Sequence, residues 1–255
     1  VGSSELPPGL AFVSRDRFAF KPLYFARKGG ALAVASEPKA LIHLYPELRK
    51  VNERALFRFL KESALYDHTD CFYEGIEQLL PGHNAVYKPD GDVLTVARYW
   101  DWPGGDSPFA GDVQAQFNTL FEDAVRLRMR SDVQVGITLS GGLDSTAVMS
   151  VAEKQLELGH ARMTAFTSVY EQDADATPVD ERAWAALAVA QCAQVDLQLV
   201  EAPKAQWLQT LRKIVKHMDG PGYSPAVFPL WTIAELAAHQ KVKVLLEGQG
   251  ADELI

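Results

Sequence analysis

Val133-Gln134-Val135-Gly136-Ile137-Thr138-Leu139-Ser140-Gly141-Gly142-Leu143-Asp144-Ser145-Thr146-Ala147-Val148-Met149-Ser150 decides how this chain is read. Its first seven residues are β-prone. The hexapeptide Ser140-Gly141-Gly142-Leu143-Asp144-Ser145 follows, and a helix-like run starts at Ser145 or Thr146. The pattern predicts a strand, a loop and a helix in sequence. Two adjacent glycines let backbone N–H groups approach a ligand with no Cβ in the way. The helix start adds unpaired N–H groups and the positive end of its dipole. Such a loop suits phosphate oxygens. Asp144 stands where a carboxylate could hold Mg²⁺ beside them. The Gly-Lys-Ser/Thr end of a Walker-type loop is absent. Taken alone, Gly-Gly before a helix cap is also ordinary turn chemistry.

A second stretch sharpens the reading. Residues 242–247 form another short, mostly apolar run, and Gly248-Gln249-Gly250-Ala251-Asp252-Glu253 follows it. Two parallel-type strands would then each end in a glycine-rich loop that carries acids. Ligands on open α/β sheets bind beyond the carboxyl ends of the strands. Two such loops could close on one nucleotide there.

Around these loops the chain alternates. Strands are expected at 133–139, 164–169, 197–200 and 242–246. Helices are expected at 145–158, 180–194, 205–218 and 226–240. This order argues for a parallel sheet with helices on both faces. Upstream, residues 1–100 read as β-rich, with strands at 10–14, 23–26, 31–35 and 84–87 between glycine and proline turns. Asn52 is placed to cap a helix over 53–64, with Leu56, Phe59 and Leu60 on one face. Asp112 is placed to cap a helix over 113–130, with Phe117, Leu120, Phe121 and Ala124 inward. Residues 101–111, rich in Pro, Gly and Asp, are the expected linker. The expected domains are therefore 1–100 and 112–255.

Composition excludes some functions. The formal net charge of −8 disfavours a basic nucleic-acid surface. No apolar run is long enough to span a bilayer. Cys71 and Cys192 make neither a metal spacing nor a disulfide framework, so a reducing cytoplasm is the expected setting. The start at Val1 and the end at Ile255, just past the second loop, suggest a piece of a longer protein.

The pair Ser-Gly-Gly-Leu-Asp-Ser and Gly-Gln-Gly-Ala-Asp-Glu, about a hundred residues apart, resembles the asparagine synthetase family. The upstream segments Arg15-Asp16-Arg17-Phe18-Ala19-Phe20-Lys21-Pro22-Leu23-Tyr24 and Ala35-Ser36-Glu37-Pro38-Lys39-Ala40-Leu41 resemble that family's glutaminase domain. Leu80-Pro81-Gly82-His83 and Arg98-Tyr99-Trp100-Asp101 resemble its exit into the synthetase half. The resemblance implies the rear half of an Ntn-hydrolase-type domain, then an ATP pyrophosphatase domain of adenine-nucleotide α-hydrolase type. It also implies ATP and Mg²⁺, small-molecule substrates (a carboxylate, with glutamine or ammonia), and a homodimer among the admissible assemblies. By the same resemblance, Ser140, Gly141, Gly142 and Ser145 would hold pyrophosphate. Asp144 and Asp252 would hold the metal, and Leu139, Ser168, Glu247 and Gly248 would lie at the adenosine.

The departures carry information too. The family's N-terminal nucleophilic cysteine is absent from position 1, and Cys71 is expected to be a packing residue. Arg15 and Asp16 are expected to form an internal ion pair. The family usually has glycine where Ala19 stands, so a positive φ there would strain the alanine. Gln249 replaces a glutamate and cannot accept a proton at neutral pH. It could still orient a nucleophile, with Glu253 and Glu181 as nearby acids. Glu181 reads more simply as a favourable charge at a helix N-terminus. Glu247 replaces a serine or threonine. The leading expectation is adenylation of a carboxylate, most simply aspartate, followed by attack of ammonia from glutamine. The alternative is a relative that closes an amide with an internal or peptide amine, as β-lactam synthetases and peptide cyclases do, without glutaminase activity.

Overall fold

The computed structural model describes residues 9–63, 68–102, 111–156, 162–170, 180–201, 204–222, 224 and 226–251. By internal packing these divide into two units. One holds residues 9–102 together with 215–222, and the other holds the rest.

The first unit is built from β1 (Ala11–Ser14), β2 (Tyr24–Lys28), β3 (Ala31–Ala35), α1 (Pro38–Leu44), α2 (Glu53–Glu62), β4 (Glu77–Gln78), β5 (His83–Lys88) and β6 (Val93–Arg98). It forms two antiparallel three-stranded sheets, ordered β1-β5-β6 and β3-β2-β4. Phe25, Leu79 and Ala85 make one apolar cluster; Ala26, Leu41, Ile42, Cys71 and Ile76 make another. Cys71 is the packing residue expected of it. Burial pushes its thiol up to about 11, so at neutral pH it carries no thiolate.

Arg15 and Asp16 are structural, chiefly through separate partners. Buried Arg15 donates to the Leu79 carbonyl at 2.6 Å and to Gln78 Oε1 at 3.3 Å. Asp16 accepts from the backbone N–H groups of Phe18, Phe20 and Lys21 and so closes its own loop. Those hydrogen bonds and the nearby Arg15 charge outweigh the partial burial that would raise its pKa, and they hold its carboxyl below the usual range. Within this loop Ala19 sits at φ +56°, the left-handed region that costs a β-carbon.

Asn52 caps α2 as expected, its side chain accepting from Ala55 N at 3.2 Å. Such a cap contributes about 1 kcal/mol. On the face that Leu60 shares with Leu56 and Phe59, Leu60 is 74% exposed; helical periodicity finds a stripe without saying what covers it.

The second unit runs α3 (Val113–Arg128), β7 (Val135–Thr138), α4 (Leu143–Glu153), β8 (Met163–Val169), α5 (Arg182–Val189), β9 (Val195–Glu201), α6 (Trp207–Met218), α7 (Val227–His239) and β10 (Val244–Leu246). The last turn of α6 belongs to the first unit. The four strands pair in parallel in the order β10-β7-β8-β9. Side chains on the two faces of the strands feed two cores. Ile137, Ala165 and Leu246 pack with Met149 and Ala152 of α4 and Ala185 of α5. Phe166 and Val200 pack with Ile233 and Ala237 of α7. Helices therefore cover both faces, and the α/β architecture is the expected one. Burying a side chain such as Phe166 or Ile137 contributes about 1.5–3 kcal/mol each.

Three local expectations are corrected. Helix α4 starts at Leu143, two residues early, because Gly142 supplies the extended N-cap. Asp112 caps α3 through Ala115 N at 3.0 Å, but Phe117 and Leu120 are exposed while Val125 is buried. Strand β6 and helix α1 were not anticipated. The first has a weak alternation, and the second is only two turns opened by Pro38.

Replacing Ala19 with glycine should relieve the left-handed backbone and stabilise the protein by about 1 kcal/mol. Chemical denaturation of the two proteins side by side checks this; an Ala19→Gly variant no more stable than wild type would contradict it.

Candidate functional site

The site is built where β7 and β10 end. Leu246 pairs with Ile137 in register, so both strands stop at the same level of the sheet. Thr138 Oγ1 donates to the Leu246 carbonyl at 3.3 Å and ties the two ends together. Leu139 is anchored on its other side, its N–H donating to Phe166 O at 2.8 Å and its carbonyl accepting from Thr167 Oγ1 at 2.7 Å. This expected adenosine residue is almost fully buried and its N–H and carbonyl are both bonded within the sheet, which leaves the carbonyl's second lone pair for a ligand.

Residues 140–142 then turn into α4. The Ser140 N–H donates to Ser145 Oγ at 3.3 Å, the two serine hydroxyls lie 3.0 Å apart, and the Gly142 N–H donates to Ser140 Oγ at 3.2 Å. These bonds hold the loop in a fixed curl. They also mean that both hydroxyls serve the loop's own shape. No side chain caps α4, so its first turn keeps N–H groups for an anion. Asp144 lies in that first turn.

Two glycines close the site by steric necessity. Gly141 has φ +81°, and a Cβ there would stand 2.6 Å from both Ala185 N and Trp184 Cβ at the start of α5. A Cβ on Gly248 would stand 2.6 Å from Ser145 N and 2.9 Å from the Asp144 carbonyl carbon. The second glycine loop therefore lies directly against the first turn of α4. The structure brings Leu139, Ser140, Gly141, Gly142, Asp144, Ser145, Glu247 and Gly248 to one end of the sheet. Exposed Gln249 follows, with Gly250 at φ +99°. Asp252 and Glu253 lie outside the described residues, so the expected metal pair and the second acid have no geometry here.

Ser168 stands near the end of β8, in register with Val200. Its hydroxyl is buried and has no hydrogen-bond partner among the described residues. A buried polar group left this way costs about 1–3 kcal/mol, which a ligand donor or acceptor would recover. Burial raises the pKa of Glu247, whose residue surface is otherwise exposed. The N-cap position of α5 belongs to Glu181, which makes no capping bond through its side chain. Burial, and then the Asp180 charge, raise its pKa.

Sequence reasoning missed the part played by the start of α5. Trp184 and Ala185 shape the loop at Gly141, yet nothing local in their sequence marks them. It also missed the bonds of Asp180, which tie the residue after β8 to the start of α5. Asp180 accepts from Arg182 at 2.6 Å and from the Tyr170 N–H at 3.3 Å. Hydrogen bonding from Arg182 holds its carboxyl down at about 2.

Comparison with known proteins identifies the family. Residues 116–255 match the family model described as asparagine synthase, and residues 9–100 match a glutamine amidotransferase domain. The chain belongs to the asparagine synthetase family. It is 32% identical over 254 residues to asparagine synthetase (glutamine-hydrolyzing) 1 of Bacillus subtilis, covering 94% of this chain and 36% of that protein. It is 29% identical over 262 residues to the amidase chyE of Penicillium rubens, covering 96% of this chain and 37% of that protein. The chain thus spans little more than a third of the length of these relatives.

Two outcomes test the site. Gly248→Ala should lower stability by about 1–3 kcal/mol, since the backbone beside it cannot give way; an unchanged unfolding midpoint would refute the close approach. The folded pKa of Asp180 is depressed, so its stabilisation is present above the ordinary value of 3.8 and is lost as pH falls toward about 2. Denaturation midpoints of wild type and Asp180→Asn should therefore converge across that window, and a gap that stays constant would contradict the assignment.

Proposed function

We propose that this chain is part of an ATP-dependent, AMP-forming amide synthetase that adenylates a carboxylate and transfers nitrogen to it. Aspartate is the simplest acid and glutamine the simplest nitrogen source, giving asparagine, AMP and pyrophosphate in the cytoplasm. The observation that carries this reading is Gly248 packed on the first turn of α4, which joins the two glycine loops into one cradle. In this reading residues 1–100 belong to the glutaminase-type part, 101–111 to a linker, and 112–255 to the synthetase part.

The residues present suit the ligands. The N–H groups at the start of α4 and the curl at Ser140–Ser145 would take pyrophosphate oxygens, where charge builds as the acid attacks the α-phosphorus. The carbonyl of Leu139, the backbone of Gly248, the Ser168 hydroxyl and Glu247 would take the adenosine. Asp144 and Asp252 would hold Mg²⁺, which supplies charge neutralisation at the phosphates. Gln249 would orient a reacting group by hydrogen bonding and leave proton acceptance to another group, with Glu253 as the candidate.

A second reading has its own support. Gln249 stands where the family's acid is expected, and the Penicillium rubens relative is named an amidase. In this reading the adenylated acid meets an internal or peptide amine and no glutaminase is used. Glutamate release by the full-length natural protein separates the two, because robust release excludes this alternative.

With ATP, Mg²⁺, aspartate and ammonia, the full-length protein should release pyrophosphate. Asp144→Ala should lower that rate at least about a hundredfold while far-ultraviolet circular dichroism stays unchanged. Failure to release AMP or pyrophosphate with any carboxylate would reject the proposal.

A further inference from the structure

Helix α1 opens at Pro38 without a side-chain cap from its own sequence. Its N-cap, Glu37, makes no capping bond through its side chain. The missing acceptor comes from 180 residues away: an Asp219 carboxylate oxygen takes the Lys39 N–H at 2.9 Å. The favour is returned at the end of α6. Lys39 Nζ donates to the carbonyl of His217 at 2.7 Å and lies 3.3 Å from the same Asp219 oxygen. Each residue thus caps the other's helix, an anion at an N-terminus and a cation at a C-terminus. Lys39 also bonds Glu37 at 3.0 Å. All of these residues lie within the first unit.

The backbone of this turn is unusual in its own right. The Gly220 N–H bonds the Val215 carbonyl at 3.3 Å, the six-to-one bond of a Schellman cap. The left-handed position of such a cap is usually glycine. Here it is Asp219 at φ +56°, with a side chain only 6% exposed. A non-glycine residue held in that region carries strain that the surrounding structure must compensate. Gly220 has no room for a side chain, since a Cβ would meet the Phe72 ring at 2.8 Å. The turn is therefore held on two sides.

Its place in the chain gives the clip a role. The turn at 219–222 joins α6 to α7, and α7 packs on β8 and β9 and leads directly into β10 and the loop at Gly248. Lys39, in turn, lies in the part that matches the glutamine amidotransferase domain. We infer that the Lys39–Asp219 clip couples glutamine hydrolysis to amide synthesis, acting as a pair of positioning residues that hold the α6–α7 turn. The inference rests on the glutamine-donor reading above.

The test uses the full-length natural protein with Lys39→Met and, separately, Asp219→Gly. The second variant removes the carboxylate while relieving the backbone, so it stays folded. Glutamate and pyrophosphate are measured with glutamine, and pyrophosphate again with ammonia. In both variants the glutamate-to-pyrophosphate ratio should rise about fivefold over wild type. Ammonia-dependent release should stay within about twofold, and Lys39→Arg should keep the wild-type ratio. A ratio unchanged in both variants, or an equal loss of ammonia-dependent synthesis, overturns the inference and leaves the clip a purely structural feature. A wild-type protein that releases pyrophosphate with ammonia but no glutamate from glutamine overturns the glutamine-donor reading itself, and the coupling with it.

Discussion

Parallel pairing of β10 with β7 sets the distance between two loops that are a hundred residues apart in the chain. Because Leu246 and Ile137 are in register, the residues after them leave the sheet side by side. Gly248 then meets the first turn of α4 with no space for even a methyl group. A longer side chain at this point would force the loops apart and open the cradle. The apolar cores on both faces of the sheet hold the strands so that this approach is kept.

The same logic explains why the serine hydroxyls of the first loop bond to one another. They also accept from the Ser140 and Gly142 N–H groups, which fixes the curl, while the first turn of α4, with no side-chain cap, keeps its own N–H groups open. The left-handed glycine at the tip and the start of α5 behind it complete the same restraint. In the proposed reading this rigidity would have chemical value, because oriented donors cost no reorganisation when phosphate charge develops.

Aspartate at the left-handed end of α6 and alanine at the left-handed position of the loop after Asp16 form an instructive contrast. Both residues accept a backbone conformation that glycine would hold more easily. Asp219 is repaid by a lysine and a helix N-terminus. Ala19 has no such return from its methyl group, and nothing in the structure explains why it stands there.

What the sequence by itself determined was local and periodic. Alternating apolar runs marked the parallel strands, Asn52 and Asp112 announced their helices, and two glycine-rich acidic loops pointed to a phosphate ligand. These signals are legible because they depend on neighbours within a turn or a strand. Tertiary structure alone decided which stripes are covered. It left Leu60, Phe117 and Leu120 exposed, because periodicity gives a direction and not a partner. It also decided that Trp184 and Ala185 back the loop, and that Lys39 and Asp219 cap each other's helices. Those pairings join residues far apart in the chain, and no local pattern encodes them. They follow from strand order and from the geometric demand that every helix end find its missing hydrogen-bond partners.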